Sequence, residues 1–216
     1  MTVANKSLSE KLPTQTPRYT DSVALAKRRK TLPKYMIAGQ IQALLRSIKS
    51  PRDLAIFRVA YHHGLRASEI GMIQMTDYRP GKHTDEDRLY IDRLKGSIGG
   101  EVLLVPAAAL AIRLWIKKRG WADGPMFLSR KKTPISRYQL HRLMQHYAAK
   151  AGVPADKAHF HALKHTCATM MISELKESII DVQKHLGHAD IRSTMIYGDL
   201  TEQANEERAK RLRKWR

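Results

Sequence analysis

Leu89-Tyr-Ile-Asp-Arg-Leu94, Lys95-Gly-Ser-Ile-Gly-Gly100 and Glu101-Val-Leu-Leu-Val105 follow one another in the middle of the chain. The first run alternates apolar with polar residues, the period of a half-buried strand, and the last is a second short strand. The glycine-rich stretch between them makes the pair a β-hairpin. Just before it, Arg79 to Asp87 is polar, with Pro80-Gly81 as a turn signal. The segments on either side repeat with a helical period. The expected fold class is therefore mainly α with a small antiparallel β-sheet (α+β).

Upstream, Ile37, Ile41, Leu44, Leu45 and Ile48 share one helical face. Ser50-Pro51 reads as a cap followed by proline at the first helical position, and Leu54, Phe57 and Tyr61 continue that second helix to Gly64. A short helix with Ile70 and Ile73 follows Arg66. Downstream, Pro106 opens a helix through Leu110, Leu114 and Trp115, closed near Gly120. Leu140, Leu143, Met144 and Tyr147 share the face of another, ended by Gly152. Further helices are expected over roughly 161–173, 178–185 and 193–197.

The chain has 216 residues, of which 43% are hydrophobic, enough to bury a core. Lys and Arg total 39 against 20 Asp and Glu, a net charge of +19. Such an excess needs a polyanionic partner or costs stability through self-repulsion. Nucleic acid is the default partner and an anionic membrane surface the rival. The one cysteine, Cys167, excludes an internal disulfide and a thiolate-based metal site. No apolar run approaches a membrane span, and residues 1–11 lack the apolar core of a signal peptide. The expectation is a cytoplasmic, nucleoid-associated protein with no membrane partner.

Charge is unevenly placed. Residues 1–30 mix Ser, Thr, Pro and Lys and end in Lys27-Arg28-Arg29-Lys30, which reads as a flexible phosphate-binding arm or a plain solubilising tail. Residues 124–155 carry six Lys/Arg and no acid. A soluble surface usually intersperses both signs, so Arg130, Lys131, Lys132, Arg137 and Arg142 are candidate DNA contacts. Residues 201–216 form a basic C-terminal helix or tail.

Chemistry is carried by a scattered set. His161-Ala-Leu-Lys164-His165 places two histidines one turn apart, as in a zinc helix, but Ala162 stands where that motif needs glutamate. No metal is expected. Gly64-Leu-Arg66-Ala-Ser-Glu69 sets an arginine at the mouth of a helix, and Lys95 sits in the hairpin loop. Leu186-Gly-His188 precedes Tyr197 by nine residues, counted from His188. An arginine and a lysine can clamp phosphodiester oxygens, a lysine or histidine can protonate a leaving oxygen, and a tyrosine can attack phosphorus. Together these suffice for phosphoryl transfer through a covalent intermediate without metal or other cofactor.

In this combination and order, the pieces resemble the tyrosine recombinase (phage integrase) family over about residues 31–200. Gly-Leu-Arg66-Ala-Ser-Glu69-Ile resembles its first arginine box, Lys95 its hairpin lysine, His161-Ala-Leu-Lys164-His165 its His-x-Leu-Arg-His box, and Leu-Gly-His188 with Tyr197 its last box. The resemblance implies a catalytic domain over 31–200 that cuts and rejoins duplex DNA as a site-specific recombinase. It implies that Tyr197 forms a 3′-phosphotyrosyl bond while Arg66 and Lys164 neutralise the transition state. Lys95 would protonate the 5′-oxygen, His161 and His188 would assist, and Glu69 and His165 would support the site. Self-association on double-stranded DNA, as a tetrameric synapse, is implied as well.

Two departures stand out. Lys164 replaces the family's second arginine, keeping the charge but losing the two-pronged contact. Residues 1–30 are too short for the helical core-binding domain that most members carry first. This resembles the small single-domain members, including the fimbrial-switch inversion enzymes, a likeness shared by His63-Gly-Leu-Arg-Ala-Ser-Glu-Ile and Phe127-Leu-Ser-Arg130; a fragment of a longer enzyme is the other reading. A type IB topoisomerase-like strand transferase and a catalytically impaired DNA-binding relative are the alternative functions.

Overall fold

The computed structural model describes residues 33–94, 97–198 and 212–213. The 1–30 arm and Lys95 lie outside them, as does the 201–216 segment apart from Leu212 and Arg213, which are helical and exposed.

The apolar period after Ile37 becomes α1 (Ala38–Ser47), whose buried side presents Ile41 and Leu44. Ile37 itself is its exposed cap residue rather than part of the core face. Ahead of α1, the Met36 amide donates to Thr166 Oγ1 at 2.9 Å, a buried bond that ties this entry to the helix bearing the His-Lys-His motif. Ser50 caps α2 (Pro51–His62), its Oγ accepting from the Asp53 amide at 3.4 Å. The chain then turns through Gly64 at φ +58° into α3 (Ala67–Met72).

The hairpin forms as expected, as β2 (Arg88–Ile91) and β3 (Gly100–Leu103), with Leu89 opposite Val102 and Ile91 opposite Gly100. Leu89 and Ile91 enter the core while Arg88 and Tyr90 stay outside, as the alternation requires. A preceding strand, β1 (Tyr78–Arg79), pairs antiparallel with β2 and makes the sheet three-stranded in the order β1-β2-β3. The sequence reading placed the polar segment from Arg79 in a turn and missed this strand. What holds it is a buried carboxylate: Asp87 accepts from Tyr78 Oη at 2.6 Å and from Arg113 at 2.6 and 2.9 Å.

Beyond the sheet lie α4 (Pro106–Arg119), α5 (Arg137–Lys150), α6 (His161–Ser173), α7 (Ile179–Leu186) and α8 (Arg192–Met195). The buried face of α4 is Ala108, Ala109, Ala111, Ile112 and Ile116. Leu110 and Leu114, which marked this helix in the sequence, are half exposed. The small residues suit a close approach to α2, which offers Ala55, Ile56, Val59 and Ala60 in its buried set. Phe57 of α2 meets Tyr147 of α5 and Phe160, both edge to face at 5.6 Å, and its full burial is worth about 1.5–3 kcal/mol. A second, smaller apolar cluster gathers Cys167, Ala168, Val182, Leu186 and the ring of Tyr197. Burial pushes the Cys167 thiol up to about 12, leaving it unreactive at neutral pH. Among the described residues, no helix is long and apolar enough to cross a membrane.

Candidate active site

His161 opens α6, and helical geometry puts Lys164 and His165 one turn further along the same face. The His161 and His165 rings meet edge to face at 4.5 Å. His165 Nδ1 lies 2.9 Å from the hydroxyl of Tyr197, which follows α8. The tyrosine is only 2% exposed. Burial raises its pKa above that of an ordinary phenol, so it is held protonated. Burial, with the neighbouring His161, His159, Lys164 and His188, lowers His165 to about 3, so its imidazole is neutral.

Arg66 projects from the start of α3. Its Nη1 donates to Glu69 Oε1 at 2.7 Å, to Ser97 Oγ at 2.9 Å and to the Leu94 carbonyl at 3.2 Å. Glu69 Oε2 accepts the Arg66 amide at 2.8 Å and Oε1 accepts the Leu94 amide at 3.3 Å. One buried carboxylate thus joins α3 to the hairpin loop. Burial alone would raise its pKa, but the hydrogen bonds from Arg66 and the charge of Arg93 outweigh burial and lower it. Glu69→Gln removes a charge that Arg66 and Arg93 share, and breaking a buried pair costs about 3 kcal/mol. The variant is expected to show a lower denaturant midpoint at neutral pH. Because the folded carboxylate has the lower pKa, its stabilisation is lost in acid, so the gap to wild type closes as pH falls through that value.

The hairpin, the α2–α3 turn and α7 are locked together by Arg93. Its guanidinium donates to the carbonyls of His63 at 3.0 Å, Gly64 at 3.2 Å and His185 at 3.1 Å, and lies 3.5 Å from Glu69 Oε2. Gly187 completes the junction. It sits at φ +64°, its carbonyl accepts the Ile98 amide at 2.9 Å, and a Cβ there would stand 2.7 Å from the Ile98 carbonyl. The glycine of the Leu-Gly-His motif is thus a close-packing requirement between α7 and the hairpin loop. The next residue, His188, has its Nδ1 2.9 Å from Thr194 Oγ1. Lys164 is buried (1% exposed), with Nζ donating to the Leu186 carbonyl at 3.1 Å. Burial, then the charges of Arg66 and Arg93, lowers its ammonium to about 7.

These elements border a cleft of about 980 Å3. Arg66, His161, Lys164, His188 and Tyr197 all line it, as does His165, while Glu69 is buried beneath Arg66. Arg137 lines it too; Arg130, Lys131, Lys132 and Arg142 are exposed and do not. Sequence reasoning missed Arg93, Ser97, His141 and His159. The latter two line the cleft, and His159 could have been found as a third histidine just ahead of the His161 motif.

The sequence profile of the phage integrase family matches residues 34–204. The tyrosine recombinase XerC of Ralstonia pickettii is 32% identical over 200 residues, covering 83% of this chain and 60% of its own length. The chain therefore spans about three-fifths of that relative. The type 1 fimbriae regulatory protein FimE of Escherichia coli K12 is 27% identical over 173 residues, covering 76% of this chain and 84% of its own. Among solved structures, XerH site-specific recombinase bound to a palindromic difH substrate superposes with a TM-score of 0.71 at 21% identity, over 83% of this chain and 53% of that one. Its likeness supports the expected fold, mainly helical with a small antiparallel sheet. Since the family profile runs through nearly all of the described structure, the chain belongs to the phage integrase family.

Proposed function

We propose that the chain is a site-specific recombinase that cuts and rejoins duplex DNA through a 3′-phosphotyrosyl intermediate. The observation that carries this reading is the placement of the Tyr197 hydroxyl in one cleft with Arg66, Lys164, His161 and His188. Cationic groups around a protonated phenol suit attack on a phosphodiester, whose transition state spreads negative charge over the non-bridging oxygens. Tyr197 attacks phosphorus, Arg66 and Lys164 neutralise those oxygens, and His161 and His188 hydrogen-bond to the phosphate. Lys95 protonates the departing 5′-oxygen, and Glu69 braces Arg66. One phosphodiester is exchanged for another of similar energy, so rejoining needs no ATP.

Residues 31–200 are the catalytic domain in this reading, with 1–30 and 201–216 as basic appendages. Exposed Arg130, Lys131, Lys132, Arg137 and Arg142 supply backbone contacts, and two bound sites are bridged by four copies of the chain. With about six phosphates neutralised, affinity should fall about 1,000-fold between 50 and 200 mM salt. A nearly salt-independent affinity, read by gel shift, removes the phosphate-contact reading. The test of function is strand exchange between two duplexes carrying the chain's own site, together with covalent capture on nicked DNA. Relaxation of supercoiled plasmid lacking that site, without exchange, would reassign the enzyme as a topoisomerase-like strand transferase. Binding without capture would leave a DNA-binding relative.

A further inference from the structure

We propose that His165 is a catalytic residue that accepts the proton of the nucleophile, through Nδ1, as Tyr197 attacks. This rests on Tyr197 being the nucleophile. The family resemblance gave the proton-handling roles to His161 and His188, and the geometry points elsewhere. Among the described residues, His165 Nδ1 is the hydrogen-bond partner of the Tyr197 hydroxyl, at 2.9 Å. His188 turns its Nδ1 to Thr194, and Lys164 directs Nζ to the Leu186 carbonyl. His161 lies across the His165 ring, edge to face, and so holds that ring in place.

The protonation states fit the role. A neutral imidazole with hydrogen on Nε2 offers a lone pair at Nδ1, and the phenol offers a hydrogen. The charged and titratable groups facing this pair are His159, His161, Lys164, His188, Arg66 and Cys167. Before DNA enters the cleft, burial above all, with the neighbouring cations second, makes His165 a weak base, and burial makes Tyr197 a weak acid, so the proton stays on oxygen. A phosphate entering the cleft offsets those cations and strengthens the base. Bond formation to phosphorus acidifies the phenol at the same moment. The tyrosine is thereby inert until DNA is seated.

The step balances. The Oη–H bond breaks and an Nδ1–H bond forms. The Oη–P bond forms as the P–O5′ bond breaks, its electron pair leaving with the 5′-oxygen, which takes a proton from the acid assigned above to Lys95. On rejoining, the 5′-hydroxyl attacks phosphorus and returns its proton to the Lys95 amine, while the Oη–P bond breaks and the imidazolium returns its proton to Oη.

The test is single-turnover cleavage of a nicked suicide substrate by wild type, His165→Asn and His165→Gln. Asparagine can place a hydrogen-bonding group near Nδ1 but cannot take up the proton. Both variants should cleave about 10²- to 10⁴-fold more slowly. Between about pH 6 and 7.5 their rates should rise about tenfold per unit, because hydroxide must now remove the proton, whereas wild type stays nearly flat. A substrate with sulfur at the 5′-bridging position needs no leaving-group proton. It should rescue Lys95→Ala but not His165→Asn. On that substrate wild type should also keep a solvent deuterium isotope effect above unity, a measurement independent of how the variants fold. Cleavage by His165→Asn within about threefold of wild type, a slow but pH-flat variant, or a wild-type isotope effect of unity each overturns the proposal. No covalent adduct from wild type on its own site would overturn the nucleophile assignment and this proposal with it. Adduct from wild type alongside a pH-flat His165→Asn would overturn this one alone.

Discussion

Tyr197→Phe is expected to abolish covalent capture of nicked DNA while leaving DNA affinity within a factor of about two, since among the described residues the hydroxyl's hydrogen-bond partner is His165 within the cleft. The ring stays packed among Cys167, Ala168, Val182 and Leu186, so the substitution deletes only the hydroxyl and its 2.9 Å contact with His165. Losing one such hydrogen bond costs about 1 kcal/mol, too little to unfold the domain. The basic surface that would hold the phosphates is untouched. Protein–DNA adduct resistant to denaturing detergent, read beside a gel shift, separates the two effects. Adduct formed by the variant would remove Tyr197 from the role. The structure then directs attention to Tyr138, an exposed tyrosine on the cleft, and away from Tyr147, whose hydroxyl is committed to buried Asp53 at 2.8 Å.

What the sequence made legible was local. The Ser50-Pro51 cap, the hairpin alternation and the extent of α6 depend on neighbours in the chain, and all three hold in the structure. The cleft-lining members of the motif set were also legible, because the order of the boxes carries the family's geometry. What escaped was contact at long range. Arg93 is in phase with Leu89 and Ile91, on the core side of the alternation, but its charge argued for solvent. The side chain keeps that inward direction because three carbonyls and Glu69 receive its guanidinium. The two residues of β1 are too few to show a period, and a tertiary network through Asp87 and Arg113 holds them. His165 read as a supporting member of its box, because its tie to Tyr197 crosses 32 positions of sequence.

Lys164 is where the chain departs from its family, and the structure sharpens what substitutions there should do. Lys164→Ala should slow suicide-substrate cleavage by about 10²- to 10³-fold, the usual effect of losing one group that stabilises transition-state charge. Lys164→Arg should be neutral or harmful. The lysine is almost fully buried and its Nζ is matched to one carbonyl, that of Leu186, at 3.1 Å. A guanidinium is bulkier, brings five donors to that single acceptor, and overpacks a filled site at a cost of about 1–3 kcal/mol. The pH dependence gives a second reading. Burial and the charges of Arg66 and Arg93 lower the ammonium to about 7, and a bound phosphate raises it again. The cation is the low-pH form, so wild-type cleavage should decline as pH rises through the DNA-bound value, above about 7. Lys164→Arg keeps its charge at any such pH and should lose that decline. Without DNA the sign is opposite for stability. The folded chain holds this proton less tightly than the unfolded chain, so this group's contribution improves as pH rises from about 7 toward the ordinary lysine range. An arginine variant that cleaves faster than wild type and shows the same alkaline decline would mean that a clamp weakened by lysine, and not a site packed around it, is what this chain carries.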